Sequence, residues 1–553
     1  MNKISFYVLI TFFCFLPQLY WSQVIHYANR ASGNQLDEGN GIAVDYIGNT
    51  YITGRFESAS LDFGNSILIN NSTSDDYTDI FIAKFSPSGQ CIWAVSVGGD
   101  EDDYGAAITL NNNGEVYVTG YFQSTSITFA SQTIVNAGNT DIFVLKINNT
   151  GTPQWIKGYG GSSDEQGAGI SCDHNGNIYF TGYFYSSSIN FGDGPLSNSG
   201  GKDIFLAKIN SLGITEWSQK FGGADDDQGM AIKADMAGNC YVTGVYESAT
   251  VSFGLYVLNN AESGSKNLFI VKLDTSGNMQ WAKHANASAN DDVWGNAIDI
   301  DAVGNCYVSG CFDGTYGYFE STTLTNSHTG YDNVFTCKYD ALGNFQWATN
   351  PVSGPEGNEA YCVAADKMGN SYISGWYTSP TLTFSSITLS SSAFGDNIFL
   401  AHYNTNGQLE HAYSFSGTGF SGGYGNAICA DSLGHVFLTG YFEGSNMKFG
   451  NTTLLNTGSW DVYWTKISMG FASLPAMSES QAHAFYPNPV MHGVVVFNVV
   501  PNHIKLFTLD GKILYENAQP NTFMDVSFLS QGAYFIYLTY PDFSMIEKVI
   551  VGN

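Results

Sequence analysis

The chain has 553 residues, of which 12% are charged, and it contains 62 glycines, 34 tyrosines and 38 phenylalanines. This composition favours short aromatic strands and tight turns over helices, and the length calls for several domains or a repeat. A net charge of -29 with only two arginines, Arg30 and Arg55, argues against a nucleic-acid partner, because such a surface repels phosphate and lacks forked donors.

The N-terminal segment has the order of features found in a secretory signal peptide. Asn2 and Lys3 precede an apolar run, and small or polar residues follow it. We expect residues 1–22 to be removed on export. No later stretch reaches the ~18 consecutive apolar residues that a spanning helix requires, so no membrane span is predicted.

One pattern, D-x-x-G-N-x-Y-[VIF]-[TS]-G, recurs along the chain. Its copies lie 62 to 66 residues apart, which is typical of a protein built from stacked repeats. The final glycine marks seven copies: Gly54, Gly120, Gly182, Gly244, Gly310, Gly375 and Gly440.

Each copy contains four strand-like segments joined by short turns, which predicts the antiparallel blades of a β-propeller. The first segment carries one branched residue: Ile42, Ile108, Ile170, Ile232, Ile298, Val363 and Ile428. The third carries Lys84, Lys146, Lys208, Lys272, Lys338 and Lys466, with His402 in the sixth copy. The fourth carries Trp93, Trp155, Trp217, Trp281 and Trp347, with His411 in the sixth copy.

A residue that recurs at one strand position in most copies indicates packing rather than chemistry. We interpret the lysines as stems that cover aromatic rings and meet a carboxylate, and the tryptophans as blade core. Single cysteines occupy strand positions that are apolar in other copies, so we predict buried free thiols rather than disulfides.

The seventh copy ends at Ile467 without a fourth strand, which would leave an unpaired sheet edge. Tyr27 lies 18 residues before Asp45, the same offset that separates Trp93 from Asn111. Residues 24–31 therefore have the position of the missing strand. We predict an all-β chain in which residues 23–470 form a seven-bladed propeller of four-stranded blades, closed by this N-terminal strand.

The repeat core, followed by D-I-F-x-x-K and G-x-x-x-W, resembles the bacterial SBBP-type β-propeller repeat. The resemblance covers about residues 24 to 468. It implies a propeller fold and an exported setting, and it implies no particular activity.

The remainder of the chain is predicted to be a linker, residues 471–484, and a small β-sandwich, residues 485–553. Three short motifs mark this module: Tyr486-Pro487-Asn488-Pro489, Asp510-Gly511-Lys512 and Gly532 with Tyr534, before Lys548 near the end. It resembles the type A sorting domain of the type IX secretion system of Bacteroidota. The resemblance implies that the secretion machinery is a partner and that the domain is removed after export, leaving the protein secreted or on the outer cell surface. The alternative is an ordinary β-sandwich packed on the propeller.

Acidic residues recur where one copy leads into the next. The candidates for oxygen ligands of calcium are Asp100, Asp102, Asp103, Asp225, Asp226, Asp227, Asp291 and Asp292. The sequence lacks a D-x-[DN]-x-[DN]-G loop, so we favour a solvated acidic rim and expect no cofactor.

No H-E-x-x-H or P-loop motif is present, which favours a binding, adhesive or structural protein over an enzyme. A glycan or a surface protein is the expected ligand, with Tyr316, Tyr318, Tyr331 and Trp376 as aromatic candidates for stacking on sugar. The alternative is a secreted polysaccharide-active enzyme with carboxylates from different blades in the propeller pocket, because such a site leaves no sequential motif.

Overall fold

The computed structural model describes residues 21–471 except 73–75, 261–263, 289, 392–394, 420 and 432. In the C-terminal part it describes residues 485–486, 494–497, 501–508, 513–517, 523–530, 532–539 and 544–551. The chain divides into two compact units, Met1–Gly470 and Phe471–Asn553. Of the expected signal peptide, residues 1–20 lie outside the described residues, as do residues 472–484 of the expected linker.

The fold is all-β, and the described residues contain no α-helix. Within that part of the chain, no helix offers the length and apolar character of a membrane span.

The strands of the first four repeats follow a single leading strand, β1 (Trp21–Arg30). The first repeat contains β2 (Asp37–Val44), β3 (Thr50–Phe56), β4 (Ser60–Asp62), β5 (Ile67–Ile69), β6 (Asp79–Phe85) and β7 (Cys91–Val97). The second contains β8 (Asp103–Leu110), β9 (Val116–Phe122), β10 (Ser126–Phe129), β11 (Gln132–Val135), β12 (Asp141–Ile147) and β13 (Pro153–Tyr159). The third contains β14 (Glu165–Cys172), β15 (Ile178–Phe184), β16 (Ser188–Asn190), β17 (Pro195–Ser197), β18 (Asp203–Ile209) and β19 (Thr215–Phe221). The fourth contains β20 (Asp227–Ala234), β21 (Cys240–Tyr246), β22 (Thr250–Phe253), β23 (Tyr256–Asn259), β24 (Asn267–Leu273) and β25 (Met279–Ala287).

The later repeats keep this order of strands. The fifth contains β26 (Val293–Ile300), β27 (Cys306–Phe312), β28 (Tyr316–Phe319), β29 (Thr322–Thr325), β30 (Asn333–Tyr339), β31 (Phe345–Thr349) and β32 (Val352–Ser353). The sixth contains β33 (Asn358–Ala365), β34 (Ser371–Tyr377), β35 (Thr381–Phe384), β36 (Ile387–Ser390), β37 (Asn397–Tyr403) and β38 (Leu409–Phe415). The seventh contains β39 (Gly423–Ala430), β40 (His435–Glu443), β41 (Asn446–Phe449), β42 (Thr452–Leu455) and β43 (Trp460–Phe471).

Repeats one to six each build an antiparallel sheet from four long strands, such as β2-β3-β6-β7 and β33-β34-β37-β38. The sheet of the fourth repeat is extended to six strands by β28 and β29 of the fifth repeat, which differs from the four-stranded blade that the sequence predicts. The segment between the second and third long strands forms a short hairpin such as β4-β5. A phenylalanine recurs in each hairpin and is buried: Phe63, Phe129, Phe191, Phe253, Phe319, Phe384 and Phe449.

The repeat motif is a turn held together by its own side chains. Asp45 Oδ1 accepts hydrogen bonds from the backbone amides of Ile47 and Asn49, and its Oδ2 accepts one from the Asn49 side chain. Gly48 has φ +89°, a conformation that residues with a Cβ rarely adopt. At the motif's last position, a Cβ on Gly54 would lie 1.8 Å from the Glu38 carbonyl oxygen, so only glycine fits.

The seventh repeat contributes three long strands to a sheet whose order is β1-β43-β40-β39. The strand that pairs with β43 therefore comes from the opposite end of the chain. The Ala31 amide donates to the Val462 carbonyl at 3.0 Å, and the Thr465 hydroxyl donates to the Tyr27 carbonyl at 2.7 Å. Arg30 and Asp461 add an ion pair at 3.0 Å.

Neighbouring sheets share apolar cores, and each first strand contacts the first strand of the next repeat. β2 contacts both β8 and β39. One core joins Phe437 and Trp464 of the seventh repeat to Ile52 and Phe81 of the first. The free cysteines predicted from the sequence are confirmed: Cys91, Cys240, Cys306, Cys311, Cys337 and Cys362 are buried, and Cys172 and Cys429 are half-buried.

In the C-terminal unit, a sheet of β44 (Phe485–Tyr486), β45 (Val494–Phe497) and β48 (Phe523–Asp525) faces a second sheet. The second sheet has the order β47-β46-β49-β50, with β46 (His503–Phe507), β47 (Ile513–Asn517), β49 (Gly532–Thr539) and β50 (Ser544–Val551). Val495 and Met524 of the first sheet and Ile536 of the second share one core. Tyr534 is buried and donates to the Ser530 carbonyl at 2.8 Å, and Lys548 pairs with Phe535 in the ladder. Tyr486 lies in β44, whereas Pro487, Asn488, Pro489, Asp510, Gly511 and Lys512 lie outside the described residues.

Candidate functional site

Each first strand contains a β-bulge that places one extra residue outside the ladder. Between β2 and β3, for example, Gly39 and Gly41 pair with successive residues, so Asn40 has no partner residue across the strands. A bulge bends its strand and redirects a side chain, and bulges are common beside functional sites. The bulge residues of the seven repeats all line one cavity: Asn40, Ala106, Ala168, Met230, Asn296, Tyr361 and Asn426.

This bulge cavity has a volume of about 530 Å³. Tyrosines and amides make up much of the remainder of its wall: Tyr104, Tyr121, Tyr183, Tyr441, Gln166 and Gln228. A site of this size with aromatic faces and few polar groups has the character of a small-ligand pocket.

The aromatic rings at the cavity are stacked on one another. Tyr104 and Tyr121 have centroids 5.0 Å apart with planes inclined by 10°. Tyr441 stacks between Tyr424 at 4.7 Å and Trp460 at 4.4 Å. Burial raises the pKa of Tyr104 and Tyr441, so both phenols remain neutral at physiological pH.

Among the residues that line the bulge cavity, the charged groups are Glu38 and Arg55, and they neutralise each other. Arg55 Nε and Nη2 donate to the two carboxylate oxygens of Glu38 at 2.8 and 3.0 Å. The guanidinium carbon also lies 5.2 Å from the Tyr104 ring centroid. A bidentate pair of this kind gives rigid geometry without leaving a net charge in the cavity.

Amide side chains link neighbouring bulges. Asn426 Nδ2 donates to the Gly39 carbonyl at 3.1 Å, and Asn296 Nδ2 donates to the Ala360 carbonyl at 3.0 Å. Each amide therefore joins its own repeat to the next, which fixes part of the cavity wall.

A second cavity, of about 890 Å³, lies at the other end of the first strands. The branched residue of every repeat lines it, from Ile42 to Ile428, so this row faces a common space. Lys233 and Asp299, 2.8 Å apart, form an ion pair at its wall. The row is evenly buried, which agrees with a packing role.

The fifth and sixth repeats bring together two carboxyl groups, that of Asp332 directly before β30 and that of Glu359 in β33. Burial, followed by the charge of Asp332, raises the pKa of Glu359 to about 7. Glu359 pairs with Trp376 in the ladder, and it directly precedes Ala360 and the bulge residue Tyr361. A carboxyl group that holds a proton near neutral pH is suited to general acid chemistry.

The acidic residues predicted at the repeat junctions do not converge on one point. The Asp103 carboxylate accepts hydrogen bonds from the Ser124 hydroxyl at 2.7 Å and the Gly99 amide at 2.9 Å, and Asp227 has the equivalent partners. Asp100, Asp102, Asp226 and Asp292 each accept from a backbone amide. Asp225 and Asp291 donate their own amides to Ser248 Oγ and the Ser288 carbonyl. Asp103 and Asp227 are buried, so the prediction of a solvated rim is wrong for these two residues, and calcium binding stays the untested alternative.

The lysine and tryptophan rows have the packing role that the sequence suggests. Lys208 Nζ lies 5.3 Å from the Tyr179 ring centroid. Lys146 forms an ion pair with Glu115, and Lys208 forms one with Glu216.

The predicted sugar-stacking tyrosines lie outside the bulge cavity: Tyr316, Tyr318 and Tyr331 are exposed on the fifth repeat. Our sequence interpretation missed the bulge residues. Their signal is a variable residue between two small ones, as in Gly39-Asn40-Gly41 and Gly105-Ala106-Ala107.

Comparison with known proteins finds distant relatives of the repeat region. A WD repeat-containing protein of Acanthamoeba polyphaga mimivirus is 24% identical over 413 residues, covering 62% of this chain and 30% of that protein. The regulatory protein FlaEY of Caulobacter vibrioides is 26% identical over 166 residues, covering 29% and 17%. The chain thus spans less than a third of the length of either relative.

Solved structures align over most of the chain with low similarity. PorZ, a surface component of the type IX secretion system of Porphyromonas gingivalis, is 9% identical, with a TM-score of 0.21 over 93% of this chain and 81% of PorZ. The extracellular domain of BT4673 from B. thetaiotaomicron is 10% identical, with a TM-score of 0.17 over 95% and 99%.

Residues 484–552 match the family described as the secretion system C-terminal sorting domain. The match begins beside Tyr486 and extends past Lys548, so it contains the three motifs that the sequence resemblance rests on. The C-terminal module is therefore a type IX sorting domain, and the chain belongs to the proteins that this system delivers to the outside of the cell.

Proposed function

We propose that the repeats close into a seven-bladed propeller and that the secreted protein binds a neutral glycan in the bulge cavity. The observation that carries the proposal is that all seven bulge residues line one cavity. Ring closure is supported by the pairing of β1 with β43 and by the contact of β2 with β39. We also propose that the repeats are of the SBBP type and that the signal peptide, residues 1–22, is removed on export.

The chemistry of the cavity favours a carbohydrate without charge. Tyrosine rings present flat apolar faces on which the faces of a sugar ring can stack. Asparagine and glutamine offer both donors and acceptors, which suits hydroxyl groups. Since Glu38 and Arg55 neutralise each other, the wall offers no surplus charge for a phosphate or a uronate.

A glycan array probed with the chain lacking residues 1–22 tests this proposal. We expect binding to neutral glycans, and we expect Tyr361→Ala to weaken it at least about fivefold, because an aromatic contact contributes about 1 kcal/mol. The bulge residue is outside the ladder and is alanine in the second and third repeats, so the substitution preserves the sheet. Tyr318→Ala, an exposed tyrosine elsewhere, is the matched control. Equal binding by wild type and Tyr361→Ala would remove the cavity from consideration.

Asp332 and Glu359 favour a second candidate, a polysaccharide-active enzyme. Burial raises the pKa of both carboxyl groups, and one proton shared between them would serve as the acid that a glycosidic oxygen requires. Incubation of any bound glycan with the wild-type chain, followed by reducing-end analysis, separates the two functions. Release of new ends that Glu359→Gln abolishes would favour the enzyme, and intact glycan would favour binding alone.

A further inference from the structure

In repeats one to five, the recurring lysine and tryptophan share one acceptor in the next repeat. Lys208 Nζ and Trp217 Nε1 both donate to the Thr275 carbonyl, at 3.1 and 3.2 Å. That carbonyl belongs to the turn between the third and fourth strands of the following sheet. The acceptors of the five repeats are Asn149, Ser211, Thr275, Ala341 and Thr405.

The sixth repeat cannot form this arrangement. Its neighbour is the sheet of β43 and β1, and since these strands come from opposite ends of the chain, no turn joins them. Here His402 and His411 replace the lysine and tryptophan, paired in the same register. The replacement coincides with the loss of the shared acceptor.

His402 is a buried polar group without a hydrogen-bond partner. The residue is 6% exposed, and neither ring nitrogen has a partner among the described residues. Its ring lies flat against Tyr372, with centroids 4.5 Å apart and planes inclined by 10°. Buried polar atoms in native proteins are nearly always satisfied, so an unsatisfied imidazole held in one orientation points to a ligand.

Glu410 completes a group of three metal-binding side chains. Its Oε2 lies 3.7 Å from His402 Nδ1, and one donor atom from each of His402, Glu410 and His411 lies within 4.8 Å of the others. The Glu410 side chain is 44% exposed, so the group is open to solvent on that side.

We propose that His402, Glu410 and His411 bind one Zn²⁺ ion. Two imidazoles and one carboxylate form a donor set that suits zinc, whereas Ca²⁺ and Mg²⁺ prefer oxygen donors alone. Zinc binds such donors at about 2.0–2.2 Å, so the donors must move closer together than 4.8 Å, which the exposed Glu410 side chain permits. Three protein ligands leave one tetrahedral position for water or for a group on another molecule. None of the three residues lines the bulge cavity, so this site is independent of the proposed glycan site.

Calorimetric titration of the untagged, chelator-treated chain with ZnCl₂ tests the proposal. We expect one equivalent of zinc to bind with a Kd below about 1 μM, and Co²⁺ in its place to give the visible absorption of a tetrahedral site. Glu410→Gln and His411→Ala should each weaken binding at least about tenfold, since each removes a ligand.

The matched control is Glu216→Gln, which changes the residue at the same position of the third repeat, where it faces Lys208. Circular dichroism of the metal-free variants establishes that each is folded. If His402→Ala fails to fold because that residue is buried, the exposed Glu410 still provides the test. Absence of zinc binding, or equal affinity for wild type and Glu410→Gln, overturns the proposal.

Discussion

Arg30 Nη1 lies 3.0 Å from Asp461 Oδ2, so this ion pair joins residues 431 positions apart in the sequence. Its counterpart in the third sheet is Lys220 with Asp203, also 3.0 Å apart. There a short turn connects the two strands, whereas β1 and β43 are held together by non-covalent contacts alone. The Arg30 pair therefore stabilises the junction between the two ends of the repeat region.

We predict that Arg30→Ala lowers the free energy of unfolding by about 1–3 kcal/mol, because it leaves the Asp461 carboxylate buried without its cation. Urea unfolding measures the loss, and hydrogen exchange follows the amides of β1. Lys220→Ala is the control, and it should cost similar stability without increasing exchange in β1. Equal exchange in both variants would contradict a special role for the junction.

We predict that the repeat region becomes less stable as the pH rises from about 5.5 to about 8.5. Burial raises the pKa of Asp37 to about 7 and of Asp103 to about 8, so the native state keeps protons that the unfolded state has lost. Below the unfolded pKa both states are protonated, and the stabilisation disappears as the pH rises through the folded values.

Thermal melts across this pH range measure the effect, with a higher Tm expected at the acidic end. Asp103→Asn mimics the protonated carboxyl group and should reduce the difference. Asp100→Asn removes a half-buried acid from the same segment, whose pKa is lowered by hydrogen bonds from Thr125, and should leave the difference in Tm unchanged. A Tm that rises with pH in the wild type would contradict the prediction.

We predict that the eight cysteines that follow residue 22 react slowly with a thiol reagent in the native protein and completely in denaturant. Burial raises the pKa of Cys91 to about 11 and that of Cys172 to about 12, so neither forms the reactive thiolate at neutral pH. Titration with a chromogenic disulfide measures the accessible thiols. Reductant should leave the Tm unchanged, and a Tm that falls with reductant would reveal a disulfide.

We predict that deletion of residues 484–553 stops the protein before it leaves the cell. The sorting domain is the part that the type IX machinery recognises, whereas the repeat unit is a separate compact unit with apolar cores of its own. Fractionation of a type IX-competent host should find the truncated chain in the periplasm and the intact chain outside. Equal export of both chains would show that the tail is dispensable.

Positions that keep one residue type through the repeats are predictable from the sequence, because the same backbone geometry imposes the same requirement each time. The turn aspartate at Asp45, the anchoring Phe63 and the packed Trp93 belong to this class. The strand β1 can also be predicted from the sequence, since Tyr27 precedes the turn residue Asp45 by the same number of residues as Trp93 precedes Asn111.

The roles of positions that vary between repeats are harder to predict, because those roles depend on contacts between repeats. The ladder slips by one residue at Asn40, and nothing in a single strand shows that seven such residues share a cavity. His402 and His411 differ by nine positions in the sequence, and only the strand register places them side by side. In the same way, Asp102 and Asp103 are neighbours in sequence but accept hydrogen bonds from different segments.

The bulge in each first strand allows one residue of each repeat to be substituted without disturbing the sheet. A residue that takes no part in the ladder can be exchanged while the hydrogen bonds of the sheet stay the same. Asparagine, alanine, methionine and tyrosine already occupy this position in different repeats. The lining of the bulge cavity, and with it the proposed specificity, can therefore change one sheet at a time while each sheet keeps its hydrogen bonds.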